Sequence, residues 1–135
     1  MSDGLIQEKL DGLACVVCDQ IIEDAATRKK TLVGIFNQII ARQWPFRHPS
    51  LVLFLSLTGG KGPYEVKVVL RSDDETIGTV AEISGRETFD SPLDIVELSF
   101  TMNGLVFPSP GRYIFDVYGN EEYVTHRPFL VIGPK

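Results

Sequence analysis

Several kinds of chemistry lack their raw material in this chain. Its 135 residues include two cysteines, two histidines and one tryptophan. A structural zinc site takes about four ligands, and no second cysteine pair accompanies Cys15 and Cys18. No H-E-x-x-H motif and no G-x-S-x-G elbow occurs. Gly59-Gly60-Lys61-Gly62 has the glycines of a phosphate loop, but Pro63 and a strand pattern follow it where that loop would open a helix. It is expected to form a hairpin turn. A basic excess is missing as well: the net charge of -5 speaks against nucleic acid as a partner, because phosphate binding draws on Lys and Arg. No long hydrophobic run is present. The most apolar stretch, Leu51 to Leu57, falls well short of the roughly 20 residues that cross a bilayer. The opening MSDGLIQEKLDGL carries no basic n-region and no apolar h-region, so no signal peptide, no membrane and a cytoplasmic location are expected.

What remains is an ordinary globular composition. Hydrophobic residues at 44% and charged residues at 23% can build a core and argue against wholesale disorder. A chain of this length is one domain by size and buries roughly two thirds of its unfolded surface. Residues 1–12 read as a polar lead-in, with a helical turn around Leu5 to Leu10, and residues 13–133 as a single β-sandwich domain.

The strand signals are dense. In Pro110 to Val131, Tyr113, Phe115 and Val117 alternate with Arg112, Ile114, Asp116 and Tyr118, the period of a half-buried strand. Gly119-Asn120 tolerates positive φ and is expected to form the tight turn of a hairpin. On the return strand Pro128 cannot donate to a ladder, which places it on an edge or at a bulge. The Pro110-Gly111-Arg112-Tyr113 run matches the tyrosine corner of immunoglobulin-like sandwiches, although Phe115 stands where their cysteine would be. Further strands are expected at Leu13 to Ile22, Thr31 to Ala41, Leu51 to Thr58, Tyr64 to Arg71, Ile77 to Ile83 and around Val96 to Met102. Gly34 marks a bulge or close approach inside the second. Asp24 to Lys30 and Ser72 to Glu75 are polar turns, with Arg28-Lys29-Lys30 a solvated face. Gly85 to Pro92 is a connector crossing between sheets, and Asn103-Gly104 closes a strand. The sum is an all-β, antiparallel, immunoglobulin-like β-sandwich of about seven to eight strands, with a barrel as competitor.

Cys15 and Cys18 form C-V-V-C within a strand. Positions three apart there point to opposite faces with Cα atoms roughly 10 Å apart, too far for a disulfide. They are expected to be reduced and packed as small hydrophobes.

Two stretches, ACVVCDQIIEDAATRKKTLVGIFNQI and PGRYIFDVYGNEEYVTHRPFLVI, resemble an uncharacterised bacterial family of short single-domain β-sandwich proteins of unknown function. The resemblance implies the fold across nearly the whole chain. It implies no activity and no site residues.

The residues themselves leave three readings. The first is a non-enzymatic interaction module contacting a protein partner or itself (a homo-oligomer) through an edge strand or the loop Arg42 to Pro49. Trp44, Phe46, Arg47 and His48 form its candidate surface, since Trp and Arg are favoured interface anchors; against this, Trp44 could fold back to cap the sandwich. The second is a small-ligand or carbohydrate-binding domain stacking on Trp44, Tyr118 and Tyr123. The third is a carboxylate-based hydrolase. No catalytic residue, cofactor or metal is assigned. Asp73-Asp74-Glu75 could join a calcium site if Asp90 or Asp94 came close, or be a solvated turn. Asp19, a carboxylate in an apolar strand, either faces water or pairs with a base such as Arg28.

Overall fold

The computed structural model describes residues 8–134. Among them are nine strands and no helix: β1 (Asp11–Glu23), β2 (Lys30–Ile35), β3 (Gln38–Ile40), β4 (Phe46–Thr58), β5 (Gly62–Ser72), β6 (Thr79–Phe89), β7 (Ile95–Phe107), β8 (Gly111–Gly119) and β9 (Glu122–Ile132). They form two sheets, ordered β2-β1-β4-β7 and β3-β9-β8-β5-β6. Every pairing is antiparallel except the short parallel match of β3 on β9. The all-β sandwich read from the sequence is thus the fold. Leu5 to Gln7 lie outside the described residues, and Glu8 to Leu10 have no regular structure.

Strand alternation builds the core. Leu51, Leu53, Leu55 and Leu57 of β4 face Tyr64, Val66, Val68 and Leu70 of β5 and Tyr113, Phe115 and Val117 of β8, all buried in one cluster. Phe107, Tyr113, Phe115 and Phe129 pack ring on ring, with centroids 4.9 to 6.2 Å apart. The Tyr113 hydroxyl donates to the Ser109 carbonyl at 2.6 Å, which is the corner expected from Pro110 to Tyr113. The side chain therefore serves the core and the corner at once.

Several boundaries differ from the sequence reading, each for a local reason. Gly119 is paired rather than in the turn; the turn residues are Asn120 and Glu121, with φ of +47° and +70°. Gly119 is needed for space instead, since a Cβ there would sit 2.7 Å from Leu10 Cδ1. Leu10 itself is buried, and the Tyr64 hydroxyl donates to the Glu8 carbonyl at 2.5 Å, so the end of the lead-in is tied into the core. Gly59 to Lys61 do not close a hairpin, because β4 and β5 lie in different sheets; they turn a corner between layers. Gly85 to Phe89 belong to β6, leaving 90–94 as the crossing. Asn103-Gly104 does not end β7, which runs on through Gly104 at φ +68°.

Prolines 49 and 128 sit inside strands. Each lies where a neighbour is missing on one side: β1 pairs with β4 only as far as Val52, and β3 pairs with β9 only from Leu130. Local edges tolerate a residue without an N–H.

The expected second strand, Thr31 to Ala41, is two strands in two sheets. β2 pairs with β1 up to Ile35, the Phe36 amide donates to the Val17 carbonyl at 3.2 Å, and β3 then joins β9. Cys18 is the last residue of β1 paired with β4 and the first paired with β2. A straight continuation would carry β2 away from Glu97, which pairs with Ser56 towards the far end of β4. Yet Lys30 Nζ lies 2.8 Å from Glu97 and 3.5 Å from Glu23. The β1–β2 arm is therefore bent back over the outer face of the four-stranded sheet. This accounts for the burial of Val52 and Phe54 on that face, and it removes Lys30 from the solvated run expected of Arg28-Lys29-Lys30. Gly34, at φ +72°, stands opposite Asp19 at the bend.

Candidate functional site

The bend opens a cleft of about 430 Å³ between the two sheets. Asp19 comes from the kink of β1, Gly34 and Ile35 from the end of β2, Ile39 and Ile40 from β3, and Phe46, His48 and Pro49 from the start of β4. The walls are mostly hydrocarbon. Ile35 and Ile40 stand 58% and 57% exposed on its two sides, an uncommon outlay of apolar surface beside free strand edges.

Four residues were expected to act as one loop surface, and the strand period divides them. Phe46, Arg47 and His48 belong to β4. Phe46 and His48 turn into the cleft, with ring centroids 6.0 Å apart, and Phe36 stands 6.2 Å from His48. Arg47 points to the other face and lies over Gly104, where a Cβ would meet its Nη2 at 2.7 Å. Trp44 precedes a cis peptide to Pro45 and packs, half-buried, against the core. Arg47 and Trp44 thus do not line the cleft with the other two.

His48 has both ring nitrogens buried and without a hydrogen-bond partner among the described residues. Burial lowers its pKa below the ordinary 6.5; the Ser50 backbone and the Asp19 carboxylate pull the other way. Neither makes a hydrogen bond to the ring by geometry, so burial prevails and the imidazole is neutral at neutral pH. Asp19 is exposed and its carboxylate lies across Gly34, so closely that a Cβ on Gly34 would run into it. Arg28 does not pair with it; that guanidinium reaches Glu23 at 3.5 Å.

The other candidates fall elsewhere. Tyr118 and Tyr123 stack edge to face at 6.1 Å near the β8–β9 turn, and the Tyr123 hydroxyl is hydrogen-bonded to His126 Nδ1. Trp44 follows β3, which pairs with the opposite end of β9, about 30 Å away at strand rise. The three aromatics cannot grip one sugar. Asp74 accepts from the amide and hydroxyl of Thr76 within its turn, which lowers its pKa. Among the described residues no three His, Cys, Asp or Glu side chains are grouped to hold a metal. Asp116, buried, takes Arg71 Nε at 2.5 Å on the outer face, an ion pair that the alternation of β8 gave no reason to expect. Both cysteines are free, and burial pushes the Cys15 thiol up to about 11 against the pull of Arg127.

The family of unknown function (DUF6941) matches residues 13–132, from β1 to the end of β9. The chain belongs to that family. The uncharacterised family that its two ends resemble is thereby identified, and every element lining the cleft falls within the DUF6941 match. No curated protein matches the chain. No helix among the described residues is long and apolar enough to cross a membrane.

Proposed function

We propose that this DUF6941 protein is a non-enzymatic, immunoglobulin-like interaction module that contacts a protein partner, or a second copy of itself, through the edge of β2 and the cleft beside it. The observation that carries this reading is the pair Ile35 and Ile40, each more than half exposed, flanking the cleft. Among the described residues β2 is hydrogen-bonded on one side only, and unpaired edges are natural sites of strand addition. The hydroxyl of Tyr113 on Ser109, at the start of β8, supports the immunoglobulin-like assignment. Two free thiols, Cys18 buried and Cys15 half-buried, suit a reducing, cytoplasmic setting.

The test is a variant carrying Ile35→Lys and Ile40→Lys. Both side chains are largely in solvent, so the thermal midpoint should stay close to that of the parent. Self-association measured by sedimentation, and partner recovery measured by quantitative mass spectrometry, should fall together. A variant that is folded and loses neither would overturn the reading.

One observation favours a small ligand as a second reading. The cleft's volume of about 430 Å³ lies in the range of ligand pockets, roughly 300 to 1,000 Å³, which are mostly apolar with a few polar groups. Asp19 would be one of those groups.

A further inference from the structure

The cleft has a sign. Its lining carries the Asp19 carboxylate and no lysine or arginine. That carboxylate makes no hydrogen bond and no ion pair among the described residues. Beside it stands the His48 ring, with both nitrogens buried and closed to an occupant. An anion entering here would meet Asp19 with no counter-charge. A cation would find the exposed carboxylate. The apolar walls formed by Ile35, Ile40 and Phe46 call for a hydrocarbon body behind that charge, the form of a Lys or Arg stem with its charged head.

We propose that the cleft receives the basic side chain of a partner segment laid along the unpaired edge of β2, with Asp19 taking the charge and Ile35, Ile40 and Phe46 packing on the stem. This rests on the interaction-module reading and specifies its partner as an extended, basic strand. Gly34 has a definite part: with no Cβ it lets the Asp19 carboxylate lie across β2 at the point where the strand borders the cleft.

Amide NMR titrations of the full chain separate the two layers of the claim. Hexylguanidinium, an apolar cation, should shift the signals of Gly34, Ile35 and His48 saturably, whereas hexanoate should not. Asp19→Asn should weaken hexylguanidinium by at least about tenfold, the worth of a charge-assisted hydrogen bond. A valine- and threonine-rich pentapeptide with a central arginine should bind at least about tenfold more tightly than its neutral citrulline counterpart and slow amide exchange along β2. If hexanoate binds as well, or Asp19→Asn changes nothing, the cation site is refuted. Equal binding of the two peptides with β2 protected would refute the cation site and uphold the edge reading. Hexylguanidinium binding with no peptide binding would assign the cleft to a small cation and refute the partner-strand proposal.

Discussion

Two regions at one end of this sandwich, joined where Phe46 of the cleft pairs with Phe107 of the tyrosine corner, obey the same alternation and turn out as opposites. Around the tyrosine corner, Phe107, Tyr113, Phe115 and Phe129 are fully or almost fully buried, and the single hydroxyl among them is hydrogen-bonded. At the arm's bend, Ile35 and Ile40 are more than half exposed, the half-buried His48 has both ring nitrogens buried without a partner among the described residues, and Asp19 is unpaired among them too. The first region spends its residues on stability. The second keeps unmet hydrogen bonds and uncovered hydrocarbon, which are features that binding would relieve.

The contrast predicts a gradient of mutational cost. Phe129→Ala removes a ring at the centre of the aromatic cluster and should cost about 3 to 5 kcal/mol, read as a fall in the urea midpoint. Gly34→Ala places a side chain at φ +72° against the Asp19 carboxylate and should cost about 1 to 2 kcal/mol from the left-handed backbone alone. Equal losses from these two variants would erase the distinction between a packed region and an open one. Tyr113→Phe keeps the packing and loses the bond to Ser109; about 1 kcal/mol is expected in the same measurement.

His48 sharpens the comparison through pH. Burial holds its folded pKa below 6.5, so the unfolded chain takes the proton first. The stability that neutral His48 contributes is complete above pH 6.5 and is lost as pH falls through the lower, folded value. Urea midpoints at about pH 7.5 and 5.5 should therefore differ less in His48→Phe than in the parent. An identical decline in both would show that His48 is solvated after all. The smallest effect is assigned to Ile35→Thr with Ile40→Thr, which should change stability by less than about 0.5 kcal/mol per site, whereas association should drop.

Much of the packed corner was legible in the chain. Tyr113, Phe115 and Val117 alternate in sequence, and an alternating strand has one face to bury, so the core followed from local pattern. The site was legible only in pieces. Phe46 and His48 were singled out, but as parts of a proline-broken loop together with Trp44 and Arg47. Pro45 and Pro49 suggested no ladder, yet β4 runs through Pro49 because β1 has left that side. Ile35, Ile39 and Ile40 fall in the single strand expected over Thr31 to Ala41; nothing in TLVGIFNQIIA announces that the chain changes sheets at Phe36 and Asn37. Gly34 was the one available signal, and it was read as a bulge or close approach without the Asp19 it accommodates.

Period-2 hydrophobicity, turn residues at regular spacing and the PGRY corner determined by themselves that this chain is an antiparallel sandwich, because each depends on a few neighbouring residues and on backbone geometry they all share. The cleft was decided only in three dimensions. Its Asp19, Ile35, Ile40 and His48 come from four strands, and they meet because one arm of β1 and β2 bends back across the sheet, tied by Lys30 to Glu97. A bend of that kind arises from contacts far apart in sequence, and no local pattern encodes it.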